Sequence, residues 1–279
     1  MSALCPICPH ACSLADGQLG VCGARRARGD TVFAENYGRI TALNLDPIEK
    51  KPLARFHPGA RILSVGSYGC NLSCAFCQNS DISCMRADAL PPGAGIQTPE
   101  ELVDRALALK KDGNVGIAYT YNEPLVGYEF VLDTARLAHK AGLVNVIVSN
   151  GYSNEAPFSQ LLPHLDAANI DLKSFSQDFY DQVNAPLGLE TVKRSIVLAA
   201  YCMHVEVTTL IIPGLNDSEW EIDQLSAWLA GVSPDIPLHL TRFFPAHRML
   251  DRLPTPRETV LRLVGVAKAH LAHVYAGNM

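Results

Sequence analysis

The segment Cys70-Asn71-Leu72-Ser73-Cys74-Ala75-Phe76-Cys77 places three thiols within eight residues. Three thiolates can hold three irons of a cubane and leave the fourth iron open, whereas a structural tetrahedral zinc site wants a fourth protein ligand. Cys84 would supply that ligand only across Gln78–Ser83, a spacing that matches no tight zinc knuckle.

A second group, Cys5-x2-Cys8-x3-Cys12-x9-Cys22, offers four thiols, enough to close a site. Structural zinc and an auxiliary iron–sulfur cluster both accept four cysteines; the closed set favours zinc. The two groups take seven of the nine cysteines, which points to metal and not to disulfides. Cys84 and Cys202 stand alone and read as ordinary residues.

Something must hold these thiols in place. Short apolar runs at Ile62–Tyr68, Val115–Thr120, Val144–Ser149, Asn169–Leu172, Val205–Ile212 and Leu238–Phe243 read as strands, each followed by a helical pattern. The helices fall near Pro99–Asp112, Val126–Ala141, Ala156–His164, Leu189–Tyr201, Glu219–Ala230 and Pro256–His273, with Thr98, Asp217 and Thr255 as N-caps. Such alternation specifies parallel βα units, an α/β fold, and six of them predict a partial (β/α)6 TIM-like barrel with chemistry at the strand ends.

Residues 1–59 are expected to form a small Cys-rich metal-binding appendage with an extended link, and residues 60–279 the barrel. Within the first part, Thr31–Leu45 reads as a hairpin or extended region.

Hydrophobic residues make up 48% of the 279, enough to bury a sizeable core without disulfides. The net charge of -5 argues against a nucleic-acid groove, which needs clustered Lys and Arg. Met1–Cys12 carries no basic stretch followed by an apolar one, and the most apolar segment, Ser195–Leu215, is broken by His204 and Glu206. A cytoplasmic protein without a membrane span is expected.

The three-cysteine loop, Cys-x3-Cys-x2-Cys after the first barrel strand with an aromatic before the last cysteine, resembles the signature of the radical S-adenosylmethionine (SAM) superfamily. The resemblance implies a [4Fe–4S] cluster on Cys70, Cys74 and Cys77, whose open iron binds the amino and carboxylate groups of SAM. Reductive cleavage of SAM then gives a 5′-deoxyadenosyl radical that abstracts hydrogen.

Further elements are similar to those of pyruvate formate-lyase activating enzymes. Tyr119-Thr120-Tyr121-Asn122-Glu123-Pro124 resembles the Gly-Gly-Glu-Pro turn, so Asn122 and Glu123 are expected to receive the SAM amino group. Ser149-Asn150-Gly151 and Asp171-Leu172-Lys173 resemble elements that touch the SAM carboxylate and ribose, and His239 falls where those enzymes carry a histidine near the adenosyl group. Phe76 and Gln78, which flank Cys77, join the expected cofactor-binding residues. Taken singly, Glu123 would be a helix-start residue, Asn150-Gly151 a turn, and His239 a packed barrel histidine.

Nearly the whole chain resembles the AmmeMemoRadiSam system radical SAM family. Asp46-Pro47-Ile48-Glu49-Lys50-Lys51-Pro52, Cys77-Gln78-Asn79, Thr209-Leu210-Ile211-Ile212-Pro213-Gly214-Leu215-Asn216-Asp217 and Arg242-Phe243-Phe244-Pro245 carry that likeness, as does the amino-terminal cysteine group. Two departures stand out: Arg55-Phe56-His57 alters a common His-Phe order, and Tyr275-Ala276-Gly277-Asn278-Met279 ends where many relatives continue with a cysteine-containing tail.

The resemblance implies a protein or peptide substrate, as in glycyl-radical activation, and flavodoxin or ferredoxin as electron donor. The competing readings are a zinc or iron–sulfur binding protein, or an electron-transfer protein, without SAM chemistry.

Overall fold

The computed structural model describes residues 2–89 and 95–279. The first strands form two small antiparallel pairs, β1 (Ser2–Leu4) with β2 (Ser13–Ala15) and β3 (Arg25–Arg28) with β4 (Thr31–Ala34). Next, β5 (Ala42–Pro47) runs antiparallel to β6 (Arg61–Gly66) and so belongs to the main sheet. The extended link expected before residue 60 is thus stitched into the barrel.

The six apolar runs are all strands: β6 is followed by β7 (Asn114–Tyr119), β8 (Val144–Ser149), β9 (Ala167–Asp171), β10 (His204–Ile211) and β11 (Leu238–Arg242). They are parallel neighbours in chain order, flanked by β5 at one edge and a short parallel β12 (Val274–Gly277) at the other. This eight-stranded sheet is the partial barrel that the alternation predicts. β12 was not foreseen: the last helix spans only Arg257–Ala267, which frees Val274 and Tyr275 to extend the sheet.

The strands are apolar on both faces because helices cover the outside and side chains fill the inside. The helix Tyr128–Lys140 shows the matching pattern, burying Tyr128, Val131, Leu132, Ala135 and Ala138 at helical spacing. Thr98 caps Pro99–Ala108 through a reciprocal capping box with Glu101.

Two expected caps are displaced by one residue. Asp217 instead accepts from the Gly214 amide at 2.9 Å, and Ser218 caps the helix. The Thr255 hydroxyl donates to the Ile211 carbonyl and accepts from the Phe243 amide, joining two strand ends in place of capping. Among the described residues, no helix is long and apolar enough to cross a membrane.

The floor of the barrel is closed by Glu206, which is fully buried on β10. Its carboxylate accepts from His204 (2.9 Å), His239 (2.6 Å) and the amides of Ala54 and Arg55 (2.9 and 2.8 Å). The strap that follows Pro52 is thereby pinned beneath the strands, with Phe56 stacked on His204. Burial alone would raise the pKa of Glu206, but the hydrogen bonds from both histidines and both amides bring it down from 4.5 to about 2.

The stabilisation from this network is therefore complete above about pH 4.5 and is lost as the pH falls toward 2. Glu206→Gln is expected to lower stability by about 3 kcal/mol at neutral pH. The difference from the parent should narrow in urea titrations at pH 3. An equal difference at both pH values would rule out the carboxylate charge as the source.

A candidate SAM and cluster site at the strand ends

β6 leads directly into the three-cysteine loop through Gly69, whose φ of +88° lies in the left-handed region that glycine tolerates. The loop is fastened from several sides. The Leu72 amide points at Cys70 Sγ (3.4 Å), the Ser73 amide donates to Val183, and Arg248 donates from its amide to Ala75 and from its guanidinium to Ser73. All three thiols are half-buried.

They open onto a cavity of about 340 Å³ at the C-terminal ends of the strands. Phe76 and Gln78 line it from the loop, Asn122 and Glu123 from the turn after β7, Ser149 and Asn150 from the end of β8 and the residue after it, and Asp171 and Lys173 from the end of β9 and the turn after it. The sequence had named each of these.

His239 is elsewhere. It lies two residues before Thr241, which does line the cavity, and its ring is bonded to Glu206 in the floor and stacked on Tyr275. The cavity also gains Lys50, Tyr121, Thr208 and Asn278, which sequence reasoning did not single out. Thr208 sits on β10 directly beside Asp171, so strand pairing was the only signal for it.

Glu123 is the most constrained group. Its carboxylate accepts from the Ser149 hydroxyl and Leu125 amide on one oxygen and from the Asn150 amide on the other, at 2.8 to 3.0 Å. Burial pushes its pKa up to about 7 against these neutral donors, and the nearby Asp171 charge adds to the rise. A carboxylate so placed favours a cationic partner.

Asn122 is a brace: its carbonyl accepts from the Ser67 amide and its amide donates to the Gly69 carbonyl. Asn150 donates to Asn71 at 2.9 Å and points the same amide at Cys70 Sγ, 3.7 Å away. Lys173 pairs with Asp171 at 2.9 Å. Burial would lower the Lys173 pKa, but Asp171 and the nearby Cys74 raise it, so the ammonium stays charged. Asn216, from the Pro-Gly-Leu-Asn-Asp segment, donates to the Lys173 carbonyl and holds that turn. Burial also pushes the Cys74 thiol up to about 11, with Lys173 opposing.

The amino-terminal cysteines lie directly behind this loop. The Cys70 amide donates to the Cys22 carbonyl (3.3 Å), His10 donates to the Asn71 carbonyl (2.8 Å), and the Asn71 side chain donates to the Tyr152 carbonyl (2.7 Å). Among the described residues, no three His, Cys, Asp or Glu side chains are gathered closely enough to hold a single metal ion. A cubane asks for less convergence, because each thiolate binds its own iron.

The donor set fits a three-cysteine cluster: thiols on one loop, amides directed at Cys70 sulfur, and a buried carboxylate and a charged lysine across the same cavity. The comparisons agree. The family model of the Radical SAM superfamily matches residues 64–225. An uncharacterized protein of Methanocaldococcus jannaschii is 39% identical over 99% of this chain and 81% of its own length. The pyruvate formate-lyase-activating enzyme of Clostridium pasteurianum is 27% identical over 61% of this chain and 69% of its own. The structure of QueE from Escherichia coli shares the fold, with a TM-score of 0.52 at 14% identity, covering 87% of this chain and 93% of that one.

The raised pKa of Glu123 has a direct readout. Its neutral form favours the folded apoprotein fully below about pH 4.5, and that contribution is lost as the pH rises through 7. Infrared difference spectra of the apoprotein should show a carboxyl band titrating near 7 that is missing in Glu123→Gln. Titration at the ordinary 4.5 would mean that a cation already neutralises the group.

Proposed function

Because the chain belongs to the radical SAM superfamily, we propose that it cleaves SAM reductively at a [4Fe–4S] cluster held by Cys70, Cys74 and Cys77, and abstracts hydrogen from a protein or peptide. When bound, the cluster and SAM supply the one-electron chemistry and the 5′-deoxyadenosyl radical.

The chain supplies binding and orientation. Glu123 receives the SAM ammonium: a positive charge against this carboxylate offsets the burial that pushes its pKa up to about 7. Lys173 takes the SAM carboxylate, and Asp171 keeps Lys173 turned toward the cavity. Asn122, Ser149 and Asn150 fix Glu123 rather than meet the ligand, since their polar atoms are engaged with protein. The observation that carries this reading is the three thiols facing the buried Glu123 across one cavity. A plain electron-transfer centre would have no use for that carboxylate.

A macromolecular substrate is supported by the likeness to an activating enzyme whose name specifies a protein target. The electron comes from a flavodoxin or ferredoxin, in a cytoplasmic setting where clustered thiols stay reduced. Cys5, Cys8, Cys12 and Cys22 are read as a separate metal site in the amino-terminal appendage; thiols not gathered closely enough for one ion favour a second cluster over the zinc that the closed set of four suggested.

Anaerobic reconstitution, reduction with dithionite and addition of SAM should release 5′-deoxyadenosine. Cys74→Ala is expected to abolish that release and the iron at the main loop while leaving metal at the amino-terminal cysteines. Undiminished 5′-deoxyadenosine from the variant would refute the assignment.

A further inference from the structure

The Asp46-Pro47-Ile48-Glu49-Lys50-Lys51 segment puts Lys50 on the cavity wall but has no assigned role, and it also grips the site through Tyr121. That residue has φ +73°, rare for a residue with a side chain, and the Asn122 amide donates across it to the Thr120 carbonyl at 3.0 Å. This is a γ-turn of the strained hand. It is the turn that swings Asn122 and Glu123 into the cavity.

The strain is held from outside the turn. Tyr121 Oη donates to Asp46 Oδ2 at 2.6 Å and accepts from Asn44 Nδ2 at 3.2 Å. Lys51, only 3% exposed, donates to the same Asp46 oxygen at 2.9 Å and sits 4.5 Å from the centre of the Tyr121 ring. The backbone is gripped as well, since Asn79, two residues past Cys77, donates to the Tyr121 carbonyl at 2.8 Å. Gly66 makes the space: a Cβ there would lie 2.9 Å from Tyr121 Cβ and Cδ2.

Burial would raise the pKa of Asp46, but the phenol and the two lysines hold the carboxyl far below its usual range, so it is ionised at neutral pH. A buried lysine, an ionised aspartate and a phenol meeting on one strained residue exceed what a surface turn needs. From this convergence we propose that Asp46, Lys51 and Tyr121 are positioning residues: a clamp that holds the strained turn so that Glu123 presents its carboxylate to the ammonium of SAM. The inference rests on the reading of the cavity as the SAM site.

The test compares two nucleosides on reconstituted protein by calorimetry, with iron counted in each sample. S-adenosylhomocysteine carries the amino group that Glu123 would receive; methylthioadenosine lacks it. Tyr121→Phe and Lys51→Met should weaken S-adenosylhomocysteine about tenfold, a loss in the range of one or two hydrogen bonds. Methylthioadenosine affinity and iron content should not change, and Lys51→Arg should restore most of the S-adenosylhomocysteine affinity.

Equal losses for both nucleosides would overturn the clamp, as would a lowered melting temperature with unchanged S-adenosylhomocysteine binding. A parent protein that binds neither compound would overturn the SAM site itself, and the clamp with it. Variants that match a competent parent would overturn the clamp alone.

Discussion

The site depends on how tightly the chain can turn at Gly69. Its carbonyl accepts from both the Asn122 side chain and the Glu123 amide, and its amide donates to Ile82. A Cβ at this position would stand 2.7 Å from both Ala24 Cβ and the Cys22 carbonyl oxygen. The amino-terminal segment, the cysteine loop and the turn after β7 therefore meet at one residue that no side chain could occupy. Each hydrogen bond there contributes only about 1 kcal/mol, but the steric limit is absolute: the three segments approach this closely only around a bare backbone.

Two buried glutamates divide the barrel into a finished end and an active one. Glu206 has four donors, two of them histidines, and its pKa falls to about 2. Glu123 has three donors, all neutral, and its pKa rises to about 7. The same residue type, buried in both places, is shifted in opposite directions: at Glu206 four hydrogen bonds outweigh burial, and at Glu123 burial outweighs three. The floor is a structural lock satisfied from within the chain, whereas the carboxylate at the mouth has no charged partner among the described residues.

Local signals made much of this legible in the sequence. The cysteine spacing and the apolar runs are short-range features, and parallel pairing then brings Glu123, Ser149, Asn150, Asp171 and Lys173 to one cavity. His239 shows where such reading stops. The pattern marks Leu238–Arg242 as a strand and register sets His239 opposite the cavity-lining Thr208, but the hydrogen bond to Glu206 turns the ring down toward the floor, and no local signal announces that partner. The residue two places on, Thr241, shares its face and reaches the cavity. Long-range partners were also hidden: nothing in Asp46-Pro47-Ile48-Glu49-Lys50-Lys51 announces Tyr121, and the four-residue β12 is too short to separate from a helix end.

The amino-terminal segment owes its place to residues made much later. Arg25, almost wholly buried, is held by a two-pronged bond to Glu129 and by the Val126 carbonyl. Ile7 is fixed by Ser153 and the Asn154 amide, and His10 packs edge-on against Tyr152. On the ribosome, the first cysteines emerge more than a hundred residues ahead of the groups that seat them. Contacts of such sequence separation form late and slowly. The amino-terminal thiols thus reach their native surroundings only once β8 and the turn after it are made, and the cysteine loop waits longer still, for Val183 and Arg248.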